Sequence, residues 1–285
     1  MTSGRPAKRK AGVHHVDPGL DGVAQTALIT LYNRAIEAKR PDRLLDDPLA
    51  VTLLDAIDYP FRERFGRPDL AHVVRAMLFD RQVASFLQAD GHGTVISLGE
   101  GLETQLWRVD NGAMQWITVD LSEIIELRRR LLPSHPRNQL VVGSALDPAW
   151  TREVAEVENP LIVCQGLLMY FTRAEVNTFL TLVCKHCPGA TVIFDTIPAW
   201  AATKTGHRQS AAYRMPPQPW GTGRRGVQRT ASQHPTITRL RFRPAPRGRG
   251  LAWGLVYPAA TRTPGLRGLL PMAITLNTTQ ARRTP

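Results

Sequence analysis

Residues 94–108 read TVISLGEGLETQLWR, and this stretch decides the fold class of the chain. It opens with the largely apolar run VISL at 95–98, which is typical of a buried strand, and turns through Gly99 and Gly101 into a helix start. A strand, a glycine turn and a helix N-terminus form the unit that binds nucleotide-like cofactors in doubly wound α/β domains. A lone G-x-G also joins many strands to helices that bind nothing, so this stretch alone leaves a cofactor site and a plain connection as equal alternatives.

Strands and helices alternate regularly after this stretch. Alternation at this spacing is typical of parallel βαβ units with right-handed crossovers, which place ligands outside the carboxyl ends of the strands. The sequence therefore predicts a doubly wound α/β fold whose site lies near Gly99, Asp120, Gln165 and Asp195. The predicted strands cover residues 95–98, 116–120, 140–142, 161–165 and 191–195, and the predicted helices cover residues 103–107, 122–132, 148–157 and 173–187.

Three helices are predicted before the first strand. Apolar residues at three- and four-residue spacing indicate helices over about 22–40 and 69–89. Asp47 followed by Pro48 is typical of a helix cap and the first helical residue, so a further helix starts there. We predict that residues 21–90 form a helical lid, separate from the sheet and preceded by a disordered basic tail over residues 1–20.

The positive charge of the chain is concentrated near its carboxyl terminus. The 285 residues carry a net charge of +12, yet residues 223–285 hold 12 arginines and no lysine, aspartate or glutamate. Residues 1–222 hold 24 basic and 24 acidic side chains and are neutral. A uniformly basic protein would favour nucleic acid as a partner, and this uneven distribution argues against that partner.

The composition bounds the class of protein further. No run of 18 apolar residues occurs, so no membrane span is predicted. Three cysteines argue against a disulfide framework and fit a reducing compartment, so a cytoplasmic location is expected. Cys184 and Cys187 form a lone C-x-x-C without further ligands at suitable spacing, so no metal site is predicted.

Asp120 indicates what the glycine turn would bind. It ends the second predicted strand, 21 residues after Gly99, where a carboxylate accepts hydrogen bonds from ribose hydroxyls. A helix cap is the alternative role of Asp120. A dinucleotide site would require a third glycine, but Thr104 occupies that position and bulky Glu100 separates the first two. The pattern therefore favours a nucleoside cofactor without a pyrophosphate, namely S-adenosyl-L-methionine.

Two further strand ends offer candidate contacts. Ala145, Leu146 and Asp147 follow the third strand, where an apolar slot and a carboxylate suit an adenine ring. Asp147 is equally suited to cap the helix that follows. Gln165 ends the fourth strand and offers an amide, and Tyr170 is placed to face a substrate.

The motifs at 95–108, 119–130, 144–150 and 165–171 together resemble the leucine carboxyl methyltransferase-like family, which includes bacterial O-methyltransferases of polyketides. The resemblance covers about residues 26–220. It implies a class I, Rossmann-like methyltransferase with seven strands and an antiparallel last pair. It also implies that Arg75, which spacing alone would leave on the surface, holds the methionine carboxylate of the cofactor. Three positions differ from what is common in the family. Glu100 stands in place of a small residue, Glu103 in place of Asp, and Gln165 in place of Glu.

The candidate site and domains follow from these observations. No catalytic residue is assigned, although Tyr170 and His207 are weak candidates for a base. Residues 91–222 are the predicted cofactor-binding core, and residues 223–285 are a basic region that forms part of the sheet edge. The candidate cofactor-binding residues are Arg75, Gly99, Glu100, Gly101, Asp120, Leu121, Ala145, Leu146, Asp147 and Gln165.

The expected reaction is O-methylation of a small-molecule carboxylate or hydroxyl. The alternatives are an RNA-directed methyltransferase that uses the arginine-rich region, and a cofactor-binding protein without turnover. The resemblance fails after Trp220, because about 27 residues there carry eight arginines and no acid. Divergence into a basic loop and a local frame shift, restored near Leu251, are both compatible with that composition. Residues 251–257 are predicted as a strand.

Overall fold

The computed structural model describes residues 16–203, 213–263, 266 and 270–279. The strands in these ranges are β1 Thr94–Leu98, β2 Gln115–Asp120, β3 Asn138–Val142, β4 Leu161–Cys164, β5 Thr191–Thr196, β6 Ile237–Arg243 and β7 Met272–Thr278. They form one sheet with the order β3-β2-β1-β4-β5-β7-β6. Strands β1 to β5 are parallel, and β7 runs antiparallel to both β5 and β6. The predicted doubly wound, mostly parallel seven-stranded sheet is confirmed.

The helices connect the strands and surround the sheet. In the described ranges, no helix is both long enough and apolar enough to cross a membrane. The helices are α1 Thr26–Ala38, α2 Pro48–Ala56, α3 Phe61–Phe65, α4 Leu70–Ala89, α5 Gln105–Val109, α6 Ser122–Leu131, α7 Ala149–Arg152, α8 Arg173–His186, α9 Ala199–Ala202, α10 Arg224–Ala231 and α11 Tyr257–Arg262.

The strand order reverses between β1 and β4, and this reversal positions the site. From β1 the chain proceeds outward through β2 and β3 on one side, and through β4 and β5 on the other. The connections on the two sides leave the sheet in opposite directions, so a crevice opens at the carboxyl ends of β1 and β4. Leu98 and Cys164 end these two strands, and the Gly99 turn and Gln165 follow them directly.

Two apolar layers bury the faces of the sheet. On one face α8 contributes Val176 and Phe179, which pack with Ile96. On the other face α4 contributes Phe79, which packs with Val95, the neighbour of Ile96. Successive residues of β1 therefore point to opposite layers, as the period of a strand requires.

The N-terminal helices do not form a layer separate from the sheet. Helix α4 covers one face of the sheet, and α1 packs on α6 in another cluster with α2 and α3. Asp47 caps α2 through a bond from the amide of Ala50, and Pro48 is the first residue of that helix, as the sequence predicts. The apolar side of α4 is therefore part of the core, and the lid over residues 21–90 stays a prediction.

The C-terminal region completes the sheet. Residues 224–243 form α10 and β6, and β7 inserts between β5 and β6, so the sixth and seventh strands come from this region as expected. The strand predicted at residues 251–257 is wrong, because Ala252–Val256 is a π-helical turn that leads into α11. Leu251 and Leu255 are 71% and 64% exposed, so this apolar run does not fill a core. A short apolar run cannot distinguish a strand from a helix by periodicity alone.

Candidate functional site

A cavity of about 360 Å³ lies at the carboxyl ends of β1, β2 and β4. We call it the first cavity. It brings together nine of the ten residues that the sequence nominates. These are Arg75, Gly99, Glu100, Gly101, Asp120, Leu121, Ala145, Leu146 and Gln165. Asp147 is the tenth and does not border it.

The glycine turn forms one wall of the first cavity. Its backbone conformation and its close neighbours require glycine at positions 99 and 101. Gly99 and Gly101 have φ angles of +62° and +59°, in the left-handed region that side chains disfavour. A Cβ on Gly99 would lie 2.7 Å from a Leu167 methyl carbon, and a Cβ on Gly101 would lie 3.1 Å from the Cβ of Ala27. The two glycines therefore bring β1 close to the β4 loop and to α1 while leaving backbone at the cavity surface.

Asp120 joins the glycine turn to the end of β2. Its Oδ2 accepts a 2.7 Å bond from the amide of Gly101, and its Oδ1 accepts a 2.8 Å bond from the amide of Leu121. Burial raises the pKa of Asp120, although these two amides oppose that shift. The Asp120 side chain makes no capping bond inside α6, whose N-cap is Leu121. A carboxylate has about four lone-pair positions, so two stay available for ligand hydroxyls.

Arg75 is not a surface residue, contrary to what its spacing alone suggests. It extends from α4 to the start of the β4 loop, and 18% of its side chain is exposed. Its Nη1 lies 3.4 Å from Oδ2 of Asp195, whose Oδ1 accepts a 2.6 Å bond from the amide of Gly166. The buried Nε of Arg75 has no hydrogen-bond partner among the described residues. The guanidinium therefore keeps donors for a carboxylate.

Glu100 borders the first cavity, but its side chain is committed to the protein interior. Its Oε2 accepts bonds from Thr118 Oγ1 at 2.6 Å and Trp116 Nε1 at 3.3 Å, and Oε1 lies 3.3 Å from Nη2 of Arg128. Burial raises the pKa of Glu100, and Arg128 opposes the shift. Arg128 also donates to the carbonyl oxygen of Gly101 at 2.8 Å. The carboxylate of Glu100 therefore helps Arg128 to hold the turn, and a cofactor contact of Glu100 stays a prediction.

Glu103 is the centre of a buried charge network beneath the turn. Its Oε2 lies 3.1 Å from Nη1 of Arg34, and its Oε1 accepts a 2.8 Å bond from Nη1 of Arg108. Burial acts to raise the pKa of Glu103, but Arg34 and Arg108 outweigh it and hold this pKa at about 2. Asp47 accepts from both arginines, and Asp80 accepts a further bond from Arg108. Sequence reasoning missed this network, because its members lie up to 74 positions apart, from Arg34 to Arg108, and no local spacing connects them.

The negative charge of Glu103 explains why position 165 carries an amide side chain. Its Nε2 donates a 2.9 Å bond to Oε2 of Glu103, and its own Oε1 is buried without a partner among the described residues. A second carboxylate at this position would face Glu103 directly and raise the pKa of one of the two groups. The amide removes that repulsion and leaves an acceptor for a ligand's ammonium group.

The opposite end of the first cavity is apolar. Ala145 and Leu146 border it, and the indole Nε1 of Trp150 donates to the carbonyl oxygen of Ala145 at 3.2 Å. The Asp147 carboxylate accepts a 2.8 Å bond from the amide of Ala149, the first residue of α7. In this structure Asp147 therefore stabilises the turn into α7 by accepting from its first amide, while Pro148 occupies the N-cap position.

A second cavity of about 270 Å³ adjoins the first. The two share five bordering residues: Thr26, Thr30, Arg75, Gly166 and Tyr170. Most other residues around the second cavity are apolar. They include Ile29, Val74, Leu78, Phe79, Met169, Ile197, Met215, Ala245, Trp253, Tyr257 and Met272. The last four belong to the C-terminal region, so that region builds one wall of the second cavity.

His72 borders the second cavity and is held in one tautomer. The Oδ1 of Asn33 accepts a 3.0 Å bond from the amide of Asp69, so its Nδ2 faces Nδ1 of His72 at 2.6 Å. An amide Nδ2 can only donate, so Nδ1 is the acceptor and Nε2 carries the hydrogen. Burial, followed by the charges of Arg75 and Arg34, lowers the pKa of His72 to about 3. His207, the other candidate base besides Tyr170, lies outside the described residues.

The Glu103 network predicts a specific acid dependence of stability. The pKa of Glu103 is lower in the folded chain than its usual 4.5, so its stabilising effect is complete above pH 4.5 and is lost as the pH falls toward 2. The stability difference between the native chain and Glu103→Gln should narrow by about 2 kcal/mol between pH 7 and pH 3. Urea unfolding at both pH values measures this. The exposed Glu126→Gln serves as the control, and a difference that does not change with pH would contradict the charge assignment.

Comparison with known proteins gives this site a family. A family model described as leucine carboxyl methyltransferase matches residues 27–184, which is more than half of the chain. The chain is 32% identical over 207 residues to the tetracenomycin polyketide synthesis O-methyltransferase TcmP of Streptomyces glaucescens, covering 72% of this chain and 77% of that protein. It is 29% identical to the S-adenosyl-L-methionine-dependent methyltransferase dpfgK of Gibberella zeae, covering 59% and 62%.

A solved structure supports the fold independently. The CurJ carbon methyltransferase superposes with a TM-score of 0.51 at 12% identity, covering 90% of this chain and 68% of that one. At this identity the likeness shows the fold alone. Together with the family match, it means that the chain belongs to the leucine carboxyl methyltransferase family and is an S-adenosyl-L-methionine-dependent methyltransferase.

Proposed function

We propose that the enzyme transfers a methyl group to a carboxylate oxygen of an apolar, aromatic small molecule bound in the second cavity. The observation that carries this proposal is the second cavity itself, which is largely apolar and meets the first at Arg75, Gly166 and Tyr170. The relative from Streptomyces glaucescens is named as an O-methyltransferase of polyketide synthesis, which supports oxygen as the acceptor atom and a small molecule as the substrate.

The residues of the first cavity fit S-adenosyl-L-methionine. Arg75, with its unpartnered Nε, would hold the methionine carboxylate, and the Oε1 of Gln165 would accept from the amino group. Asp120 would accept from the ribose hydroxyls, while Ala145 and Leu146 would contact the adenine. When bound, this cofactor supplies an electrophilic methyl group on a sulfonium. Arg75 borders both cavities, so the methionine end of the cofactor would lie beside the substrate.

The titratable groups of the second cavity favour a carboxylate over a hydroxyl. A carboxylate is already ionised at neutral pH, whereas a hydroxyl needs a base to remove its proton. His72 uses Nδ1 to accept from Asn33, and its pKa of about 3 makes it a poor proton acceptor. Asp195 already accepts from Gly166 and Arg75. Asp69, the other carboxylate that borders this cavity, accepts from the amide of Ala71. The described histidine and carboxylates of this cavity are therefore all engaged with protein groups, which disfavours their use as a base.

The same groups suit the binding of a carboxylate. A neutral His72 with its hydrogen on Nε2 donates a hydrogen bond without transferring its proton. Tyr170 borders both cavities, and its Oη lies 3.3 Å from Nε2 of Gln218. The protein would contribute mainly by holding the acceptor oxygen in line with the methyl group and by excluding water. Trp253 and Tyr257, whose rings lie 4.8 Å apart, would cover the aromatic body of the substrate.

The two other functions considered from the sequence find less support. Part of the arginine-rich region is used inside the protein, since Arg249 pairs with Glu37 and Asp42, and Arg243 donates to Thr275. These side chains are not arranged as a free surface for RNA. A cofactor-binding protein without turnover would lack a substrate cavity, whereas here the C-terminal region helps to build one.

The cofactor assignment predicts selective effects of two substitutions. Arg75→Met should weaken S-adenosyl-L-methionine roughly 10- to 100-fold, because charge-assisted hydrogen bonds contribute about 1.5–3 kcal/mol. It should leave binding of 5′-methylthioadenosine, which lacks the amino-acid carboxylate, within about twofold. Asp120→Asn should weaken both ligands. Titration calorimetry measures the affinity of each variant for each ligand. If Arg75→Met weakened the binding of both ligands equally, Arg75 would not be the residue that binds the carboxylate.

The proposed acceptor predicts the response of the rate to pH. With an aromatic carboxylate, kcat/KM should stay within about twofold from pH 6 to pH 8, because the substrate is ionised and His72 stays neutral. With a phenol, reaction through the phenolate would instead raise the rate about tenfold per pH unit. Both pH dependences are measured with matched benzoates and phenols, by mass spectrometry of the methyl esters and methyl ethers that form. Transfer to phenols alone would overturn the carboxylate assignment.

A further inference from the structure

We propose that a groove beside the second cavity binds a phosphate group carried by the enzyme's small-molecule substrate. This arginine groove has a volume of about 400 Å³ and is bordered by Arg224, Arg243, Arg247 and Arg262. The inference extends the proposed function, since it assigns a second recognised group to the same substrate.

The arginine groove is continuous with the second cavity. Ala245, Tyr257, Pro271 and Met272 border both spaces. The hydroxyl of Tyr257 donates a 2.8 Å bond to the carbonyl oxygen of Pro271, which fixes the wall between them. One ligand can therefore place its apolar body in the second cavity and an anionic end among the arginines.

Three of the four arginines of this groove have no ion pair within the part of the chain that the structure describes. Residues 223–285 contain no acidic side chain, and the described residues show no ion pair for Arg243, Arg247 or Arg262. Burial, followed by the charge of Arg241, lowers the pKa of Arg243. By contrast, Arg249 in the same region lies outside the groove and pairs with Glu37 and Asp42. The groove thus concentrates positive charge that an anion would compensate.

A phosphate matches this arrangement better than a single carboxylate or an RNA strand does. One carboxylate is satisfied by one guanidinium, whereas a phosphate offers more oxygens and up to two charges to several arginines. RNA binding without sequence preference uses aromatic faces on which bases stack. Here the ring of Phe242 is covered by the guanidinium of Arg224 at 4.0 Å. Continuity with an apolar cavity also favours a small molecule.

The test is calorimetry on the full chain with phenyl phosphate and inorganic phosphate as probes. The double variant Arg247→Gln, Arg262→Gln, called the groove variant, should bind phenyl phosphate at least tenfold more weakly than the native chain. The matched control, Arg225→Gln combined with Arg229→Gln, removes the same charge from exposed positions on α10 outside the groove and should change the affinity less than twofold. Equal affinity in the groove variant and the native chain, or an equal loss in the control, would overturn the inference.

Two further arms separate this inference from its alternatives. The first arm uses a single-stranded RNA oligonucleotide. If it bound more tightly than phenyl phosphate does, and if both double variants weakened its binding equally, the inference would be overturned in favour of an RNA surface. Methyl transfer to benzoate, which has no phosphate, should be unchanged in the groove variant. Absence of that transfer in the native chain, with groove-dependent binding of phenyl phosphate intact, would count against the proposed function and in favour of the groove.

Discussion

The buried carboxylate of Glu103, held between the guanidinium groups of Arg34 and Arg108, is the interaction on which the site depends. Arg34 comes from α1 and Arg108 from α5, so the pair of ion contacts fixes both helices to the segment that follows the glycine turn. The network is buried, and removing one member would leave an unpaired charge in the interior, which is far more costly than losing a surface pair. Gln165 then attaches the end of β4 to the same carboxylate. The floor of the first cavity is therefore set by charge pairing as much as by apolar packing.

The departures of this chain from the family pattern compensate one another. Glu100 stands where the resemblance implies a small residue, and Arg128 lies against its carboxylate while donating to the carbonyl oxygen of Gly101. Glu103 and Gln165 are likewise coupled, since the amide of Gln165 donates to Glu103 where a second acid would repel it. In this chain, removing one member of either pair would leave its partner buried without that contact, which is destabilising. The turn thus keeps the backbone geometry of a cofactor site although three of the side chains around it differ.

The sequence predicted the elements of the site that depend on local patterns. The β1 strand, the glycine turn and Asp120 at the end of β2 all follow from spacing and residue type, and the cap at Asp47 follows from the proline beside it. The direction of the Glu100 side chain could not be predicted, because it depends on Arg128, 28 positions away. The helical conformation of residues 252–262 was missed because the run is apolar yet exposed. The wall that these residues add to the second cavity depends on packing across the sheet edge, for which local sequence carries no signal.

We propose that the first cavity holds the cofactor with its methionine end at Arg75 and that the second cavity holds the substrate. The most direct measurement is a crystal structure of the complex with S-adenosyl-L-homocysteine, the demethylated product. We expect its carboxylate on the Arg75 guanidinium, its ribose hydroxyls on Asp120, its adenine beside Leu146 and its sulfur facing the second cavity. A product bound in the opposite direction, or one that contacts neither Arg75 nor Asp120, would contradict this account.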